Sequence, residues 1–406
     1  MRRVSLTLIL GVFLAGCATD RPSTVILVGL DGFRYDYLDR FSPPHLSRLA
    51  QEGVYAPDGI VSVFPSKTFP NFYSIATGLY PAHHGVVANT MYDGALGAGF
   101  RINDRDAVEN PTWWGGEPIW ITAEKQGVRA ANFFWVGSES PHDGLQSSFW
   151  KRYDESVPGE ERVDTVLAWL DLPEAERPRL VTLYFSETDH AGHRDGPESA
   201  EVQASVARVD AWIGRLLKGL EARGLYDKVD LVVLADHGMA QLSPERIVVL
   251  EDYLDPSFGR ITEYSPNLLW DPGAEHVAEV EAALDRMPHV TRLDRATLDS
   301  LYRYAGHPRI PPIVALADEG WTIMATRERA ERFGPGTDGG MHGYDPGLPS
   351  QRSVFIARGP SFKSGASVPS FTNVDVYPLL ARILGIEPAD VDGSLDIVGA
   401  ALRNRN

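Results

Sequence analysis

The stretch Thr24-Val-Ile-Leu-Val-Gly-Leu-Asp31 is a continuous apolar run that ends at a carboxylate. An apolar run without polar alternation is typical of a parallel strand that is buried on both faces of a sheet. Two later runs, residues 180–185 and 229–235, have the same form, and residues 353–357 form a fourth apolar run. These runs therefore predict the strands of one buried, mainly parallel central sheet.

Helical patterns lie between these runs. In residues 197–222 the apolar positions recur at steps of three and four, and residues 160–170 and 376–385 repeat the pattern over shorter lengths. Strands that alternate with helices predict an α/β fold, with helices on both faces of the sheet. The stretch from about 245 to 335 has shorter patterns and Pro-rich segments such as Ile310-Pro-Pro-Ile313. It is predicted to be a smaller inserted cap.

The composition limits the classes of function. The chain has 406 residues, 43% of them hydrophobic and 23% charged, which are values of a globular protein. Its net charge of −17 opposes binding along a phosphate polymer, so no nucleic-acid duplex is expected as a partner. The single cysteine excludes an internal disulfide.

The N-terminus has the pattern of a targeting signal. Two arginines and an apolar segment too short to span a bilayer lead to Leu14-Ala-Gly-Cys17. This resembles a bacterial lipoprotein signal, so residues 1–16 are predicted to be a signal peptide and residues 17–406 the mature chain. We expect export, lipidation of Cys17 and anchoring that faces the periplasm, with Ala18 favouring the outer membrane; an ordinary signal peptide is the alternative. The oligomeric state stays open.

Polar residues follow the predicted strands at the edge where parallel sheets bind ligands. Each cluster alone is more typical of a hydrogen-bonded turn or a solvated loop than of a metal site. Together their carboxylates and imidazoles are enough for two metal ions of the zinc class. The six candidate ligands are Asp31, Asp189, His193, Asp236, His237 and His342.

Six further segments carry a recognisable pattern, namely Val28–Arg34, Phe64–Gly85, Thr112–Trp120, Thr188–His193, Ala235–Met239 and Met341–Tyr344. In this order they resemble the motifs of the nucleotide pyrophosphatase/phosphodiesterase family of the alkaline phosphatase superfamily. The likeness extends over nearly the whole mature chain and is strongest to bacterial members. It implies an alkaline phosphatase-like catalytic domain.

The resemblance implies two zinc ions per chain and assigns their ligands. One ion would be held by Asp189, His193 and His342. The other would be held by Asp31, Asp236 and His237, and would also bind the oxygen of Thr68. The remaining histidines nearby, namely His83, His84 and His190, fall outside the family pattern and are expected to be structural.

Thr68 is the expected nucleophile. Pro70 favours a helix that begins near Thr68, where backbone N–H groups can meet a phosphoryl oxygen. From spacing alone, a threonine that only caps the helix is the preferred interpretation. The resemblance implies that Thr68 attacks phosphorus and forms a covalent phospho-threonine intermediate, and that the Asn89 amide donates to a phosphoryl oxygen. Lys67 is given no catalytic role.

By the same resemblance, Phe69, Tyr153 and Tyr184 form a slot for a nucleobase. Core packing is the alternative for Phe69 and Tyr184, and a surface position is the alternative for Tyr153. The expected substrate is a small nucleotide, with hydrolysis of phosphodiester and phosphoanhydride bonds that releases a nucleoside 5′-monophosphate, for example AMP and pyrophosphate from ATP. Stacking on aromatic rings tolerates any base.

Other functions remain as alternatives. A lipid- or choline-directed phosphodiesterase of the same superfamily would keep the metal ligands. A phosphomonoesterase of the alkaline phosphatase type uses a serine and a cationic arginine, where this sequence has Thr68 and the neutral Asn89. A lipoprotein that only binds glycans or nucleotides would be expected to lack the nucleophile or a ligand, and all of them are present.

Overall fold

The computed structural model describes residues 23–333 and 339–403. The predicted signal peptide (residues 1–16) and Cys17 lie outside these ranges. The strands of the described part are β1 Thr24–Leu30, β2 Val54–Tyr55, β3 Thr90–Asp93, β4 Ala98–Arg101, β5 Ala130–Phe133, β6 Phe149–Lys151, β7 Leu180–Phe185, β8 Val229–Leu234, β9 Ala240–Gln241, β10 Ile247–Val249, β11 Arg260–Glu263, β12 Asn267–Asp271, β13 Val290–Arg292, β14 Ile313–Ala317, β15 Thr322–Met324, β16 Gly340–Met341, β17 Phe355–Arg358 and β18 Ala366–Ser367.

The α-helices of the described part are α1 Tyr37–Phe41, α2 Pro44–Glu52, α3 Thr68–Thr77, α4 Pro81–His84, α5 Arg105–Glu109, α6 Ile119–Lys125, α7 Gly159–Leu170, α8 Glu187–Asp195, α9 Ala200–Ala222, α10 Val277–Leu284, α11 Arg295–Ser300, α12 Arg327–Phe333 and α13 Val376–Leu384. The 3-10 helices are Pro111–Trp113, Leu250–Asp252, Pro349–Gln351, Asn373–Asp375 and Val398–Ala401.

The central sheet has eight strands in the order β18-β2-β17-β8-β1-β7-β5-β6. The three runs predicted to be buried parallel strands lie side by side in the middle, with β1 between β8 and β7 and parallel to both. Gly29 is paired with Tyr184 on one side and Leu234 on the other, so the three strands end almost level. The residues that follow them therefore share one edge of the sheet.

The fourth predicted run differs from the other three. It forms β17, which is antiparallel to both of its neighbours, β8 and β2. Phe355 at the start of β17 pairs with Leu234 at the end of β8, so the chain re-enters the sheet at the edge where β8 left it and β17 runs in the opposite direction. The sheet is therefore mixed, with most of its pairs parallel.

Two groups of helices pack on the sheet. Helices α2, α7 and α8 contact the long helix α9, whereas α3, α6 and α13 contact one another. Helix α9 begins after Ser199, whose side chain accepts a hydrogen bond from the backbone N–H of Val202. The predicted helices at 160–170 and 376–385 correspond to α7 and α13. The α/β fold class predicted from the sequence is confirmed.

A second sheet lies in the part of the chain that was predicted to be a cap. It is antiparallel, with the order β11-β12-β14-β13, and it has an apolar cluster of its own that includes Leu268, Trp270 and Val280. We call residues 245–333 the inserted region. Across residues 23–333 and 339–403, the helices lack the length and apolar character needed to cross a bilayer.

Candidate active site

The predicted metal ligands meet at the edge where β1, β7 and β8 end. Asp31 directly follows β1, Asp189 lies in the first turn of α8 just after β7, and Asp236 and His237 follow β8. The backbone N–H of Asp31 donates to the carbonyl oxygen of Phe185 at 2.8 Å, so the sheet pairing continues to the ligand itself. The register of the sheet thus sets the spacing of these side chains.

Asp189, His193 and His342 form one triangle. The Nε2 atom of His193 lies 3.3 Å from Asp189 Oδ1. The Nε2 atom of His342 lies 3.6 Å from the same oxygen and 3.0 Å from His193 Nε2. Ligand atoms about 3.3–3.6 Å apart are expected around a tetrahedral ion with bonds of about 2.0–2.2 Å. The triangle therefore has the size of a zinc-type site.

Asp31, Asp236, His237 and Thr68 form the second cluster. The Nε2 atom of His237 lies 2.9 Å from Asp236 Oδ2, 3.5 Å from Asp31 Oδ1 and 3.3 Å from Thr68 Oγ1. The His237 and His342 rings stack at a centroid distance of 3.5 Å, so the two clusters adjoin. This arrangement brings together all seven residues that the resemblance assigns to metal binding.

The three histidines present the same nitrogen to the site. Their Nδ1 atoms lie 3.0 Å from the Gly340 carbonyl oxygen for His193, 2.7 Å from that of Ser66 for His342, and 2.9 Å from that of Gly238 for His237. A carbonyl oxygen only accepts, so each Nδ1 holds the proton and Nε2 is left with a lone pair. Two such lone pairs 3.0 Å apart, on His193 and His342, require a cation or a shared proton between them.

The carboxylates also point to bound cations. Asp31 Oδ1, Asp189 Oδ1 and Asp236 Oδ2 are buried and have no hydrogen-bond partner among the described residues. Burial and the neighbouring carboxylates raise the pKa of Asp31 and that of Asp236 well above the usual range. Burying unpaired acids is costly unless a positive charge is present. These oxygens and the imidazole Nε2 atoms fit two divalent cations of the zinc class.

Thr68 is the first residue of α3, and its side chain is half-buried. The backbone N–H of Phe69 donates to Asn89 Oδ1 at 3.0 Å. Because a backbone N–H only donates, this contact fixes the orientation of the Asn89 amide and leaves its Nδ2 group free to donate elsewhere. Among the first backbone N–H groups of α3, that of Phe69 is thus already hydrogen-bonded to Asn89, and Pro70 has no N–H group. The N–H of Thr68 and Asn89 Nδ2 remain for a phosphoryl oxygen.

A cavity of about 380 Å³ adjoins Thr68 and Asp31. All three aromatic residues predicted for the nucleobase slot line it, namely Phe69, Tyr153 and Tyr184. The Phe69 ring packs 6.0 Å from that of Trp114, and the Tyr153 ring lies 5.2 Å from that of Phe134. Phe69 and Tyr153 are half-buried. Neither side chain is fully buried in the core or fully exposed on the surface.

Tyr184 has a second contact that the sequence did not indicate. Its hydroxyl donates to Asp31 Oδ2 at 2.5 Å, and only 6% of the residue is exposed. The ring lies 5.3 Å from that of Phe72 and 6.2 Å from that of Tyr153. Tyr184 therefore touches the cavity with its ring and orients a candidate metal ligand with its hydroxyl.

Much of the cavity wall was missed by the sequence reasoning. An ion pair between Arg105 and Glu139 forms part of it. Arg162 is 1% exposed behind the wall, donates to the Tyr184 carbonyl oxygen at 3.0 Å and lies 5.1 Å from the Phe134 ring centroid. The sequence offered only a weak indication of these residues, because they belong to no recognisable motif. The remaining lining residues that were missed are Ile102, Asn103, Val108, Phe134, Trp135, Val136, Gly137 and His190.

The three histidines outside the family pattern, His83, His84 and His190, lie outside the two candidate metal clusters. His84 is fully buried and lies 2.9 Å from the Ser74 hydroxyl, whereas His83 is exposed and lies 2.7 Å from Asp392. His190 is exposed, with its Nδ1 3.1 Å from Glu155. Burial and the neighbouring His307 lower the pKa of His84 to about 3. None of the three belongs to the triangle of Asp189, His193 and His342 or to the second cluster.

Comparison with known proteins gives the family. Residues 25–345 match the family described as type I phosphodiesterase / nucleotide pyrophosphatase. The chain belongs to this family. Its central sheet and helices have the alkaline phosphatase-like α/β fold of the family's solved members.

Among its relatives in this family, a venom phosphodiesterase of Crotalus durissus collilineatus is 37% identical over 94% of this chain and 47% of its own length. Ectonucleotide pyrophosphatase/phosphodiesterase family member 3 of Rattus norvegicus is 37% identical over 92% of this chain and 43% of its own length. The chain thus spans about half the length of these curated relatives.

The chain covers a larger share of the solved structures that it matches. Murine ectonucleotide pyrophosphatase/phosphodiesterase 5 aligns with a TM-score of 0.88 and 32% identity, covering 94% of this chain and all of the murine one. The same protein was also solved as an inactive variant, in which one threonine is replaced by alanine, in complex with AMP.

Proposed function

We propose that the protein is a metal-dependent phosphodiesterase and pyrophosphatase that acts on small nucleotides and releases a nucleoside 5′-monophosphate. The observation that carries the proposal is the position of Thr68. Its hydroxyl lies 3.3 Å from His237 Nε2, between buried candidate metal ligands and an aromatic cavity. A nucleophile, a site for cations and a place for a base therefore adjoin one another.

The proposed chemistry has two displacements. The Thr68 oxygen forms a bond to phosphorus while the bond from phosphorus to the leaving oxygen breaks, which gives a phospho-threonine diester. Water then breaks the bond between phosphorus and Thr68 and frees the nucleoside monophosphate. Asn89 Nδ2 and the N–H of Thr68 donate to a non-bridging oxygen. Two bound zinc ions would stabilise the charge that develops on the attacking and leaving oxygens.

Neutral donors favour a diester over a monoester. A phosphoryl group that carries only one negative charge needs less positive charge than the dianion of a monoester. Asn89 supplies a neutral amide at the position where a monoesterase would use arginine. The cavity supports nucleotides in particular, since bases stack on aromatic rings with about 1–3 kcal/mol each. The complex of the murine relative with AMP is consistent with such a site.

The test is hydrolysis of ATP by the purified protein, with products separated by chromatography. We expect AMP and pyrophosphate, loss of activity with a chelator, and recovery with added zinc. The Thr68→Ala variant serves as the control for a contaminating enzyme. ADP and inorganic phosphate as products would contradict the proposal. So would activity confined to lysophospholipids or choline phosphodiesters, which would favour the lipid-directed alternative.

The proposal extends to location. We propose that the chain is exported and anchored through a lipid on Cys17, in a bacterial outer membrane and facing the periplasm. It rests on the Leu14-Ala-Gly-Cys17 sequence and on Ala18. After expression in a Gram-negative host, the protein is expected in the membrane fraction, and Cys17→Ser should release it or leave it unprocessed. A membrane-bound, normally processed Cys17→Ser protein would contradict it.

A further inference from the structure

The inserted region binds the segment that carries Asn89 (residues 85–93, the Asn89 segment). The backbone N–H of Thr90 donates to Glu263 Oε1 at 2.8 Å. On the other side of Asn89, the Tyr304 hydroxyl donates to a backbone carbonyl oxygen, that of Val87, at 2.8 Å. Asn89 therefore lies between two hydrogen bonds to the inserted region.

The ends of the Asn89 segment are held as well. Arg309 donates through Nη1 to the Gly85 carbonyl oxygen at 2.9 Å and through Nε to Asp93 Oδ2 at 2.7 Å. The Arg260 guanidinium lies 3.4 Å from the centroid of the Tyr92 ring. The segment thus depends on the inserted region along its whole length.

Glu263 reaches Thr90 because its strand has a bulge. Ile261 is paired with Trp270 and Glu263 with Leu269, so β11 has one residue more than β12 between these two pairs. In a regular strand, residues two apart share a face, so Glu263 would lie on the face of Ile261, which packs against the apolar cluster of the inserted region. The bulge pairs Glu263 with Leu269 and so turns its side chain to the other face. Bulges of this kind redirect a side chain and are frequent beside active sites.

Glu263 also interacts electrostatically with Lys67, the residue that precedes Thr68. Lys67 donates from Nζ to the carbonyl oxygen of Ser265 at 3.0 Å. Burial lowers the pKa of Lys67, and the charges of Glu263 and Asp189 oppose that effect. A single carboxylate of the inserted region is therefore near the residues that flank both Thr68 and Asn89.

We propose that Glu263 is a positioning residue for phosphoryl transfer, which it serves by holding the Thr90 N–H and so fixing where Asn89 Nδ2 points. Asn89 is bound on its other side by the N–H of Phe69, beside the nucleophile. Glu263 itself does not touch the substrate. This role rests on the proposed function, because it requires a phosphoryl oxygen that Asn89 binds.

The experiment is a double-mutant cycle between Glu263 and Asn89 on the full chain. The substrate is p-nitrophenyl methyl phosphate, which has no base and therefore bypasses the aromatic cavity. Glu263→Ala is expected to lower kcat by about tenfold with KM within about twofold. Asn89→Ala should lower kcat more. In the Asn89→Ala background, the further loss from Glu263→Ala should be less than about twofold, because the amide that Glu263 positions is gone.

Two further variants distinguish a positioning role of Glu263 from a general loss of structure. Glu263→Gln keeps an oxygen acceptor for the Thr90 N–H and is expected to retain most of the wild-type kcat. Glu279→Ala, an exposed glutamate of α10, is the matched control and should leave kcat unchanged. The melting temperature of each variant checks folding.

Three results would overturn the role of Glu263. They are an unchanged kcat in Glu263→Ala, an equal loss from Glu263→Ala with and without Asn89, and a Gln variant as slow as the Ala variant. The proposed function is tested separately, by wild-type hydrolysis and its loss in Thr68→Ala. If wild-type hydrolysis and its loss in Thr68→Ala are observed, but the effects of Glu263→Ala and Asn89→Ala are additive, only the positioning proposal fails.

Discussion

The candidate metal cluster and the aromatic cavity beside it are assembled in different ways. Asp31, Asp236 and His237 directly follow neighbouring strands, so the register of one sheet sets their spacing. The cavity collects side chains from loops and element ends far apart in the chain, such as Phe69, Glu139 and Tyr153. The cluster is polar and largely buried, whereas several aromatic side chains line the cavity. The difference indicates that the sheet fixes the candidate metal ligands, whereas loops and element ends form the candidate substrate cavity.

The largest expected effect is on the chemical step. Thr68→Ala should lower kcat on the order of a thousandfold or more, because the nucleophilic path is lost. The loss should be similar for ATP and for p-nitrophenyl methyl phosphate, since Thr68 acts on phosphorus and not on the base. Thr68→Ser should keep part of the activity. Near-normal rates in the Ala variant would mean that water attacks directly.

The next effect concerns the two halves of the metal cluster. Wild-type protein should hold about two zinc ions per chain, measured by elemental analysis after zinc loading and desalting. His342→Ala removes a corner of the triangle with Asp189 and His193, so we expect about one ion. Asp31→Ala should disturb the ion beside Thr68 instead. A wild-type ratio near one would exclude a two-metal site.

Tyr184 belongs to both regions, because its ring lies at the cavity and its hydroxyl contacts Asp31. Tyr184→Phe keeps the ring at the cavity but removes the hydrogen bond to Asp31 Oδ2. Loss of a partner that orients a metal ligand costs about tenfold to a hundredfold in activity. The loss should be equal for ATP and for the base-free diester, as measured by kcat/KM. A loss confined to ATP would assign Tyr184 to the cavity alone.

The smallest effect is expected for Tyr153, which lines only the cavity. Tyr153→Ala should lower kcat/KM for ATP by about tenfold, the equivalent of one stacking contact. On p-nitrophenyl methyl phosphate the change should be below about twofold. Tyr253→Ala, an exposed tyrosine of the inserted region, is the matched control. Equal losses on both substrates would show that Tyr153 has a structural role.

The fold and the metal cluster could be predicted because the signals are local. Asp31 and the Asp236-His237 pair directly follow apolar runs, and the glycine beside each allows a tight turn at the strand end. Gly32 has a φ of 64°, and a Cβ there would lie 2.9 Å from the Asp189 backbone. The close approach of β1 to α8 at this point depends on glycine.

The remaining features depend on contacts between distant residues. The direction of β17 depends on the route of the chain after His342, which residue types do not encode. The link from Tyr184 to Asp31 depends on the register of β7 against β1. The contact of Glu263 with Thr90 depends on a bulge in a strand that periodicity did not reveal. The sequence therefore indicated the candidate ligands, whereas the residues that contact them are recognised only in the structure.

The stereochemistry at phosphorus shows whether Thr68 becomes covalently attached to the substrate. The measurement uses a nucleotide phosphorothioate diester that is chiral at phosphorus, hydrolysed in ¹⁸O-labelled water, with the configuration of the product determined by ³¹P NMR. Two in-line displacements each invert the configuration, so attack by Thr68 followed by attack by water predicts net retention. Net inversion would show a single displacement by water and would contradict a covalent intermediate on Thr68.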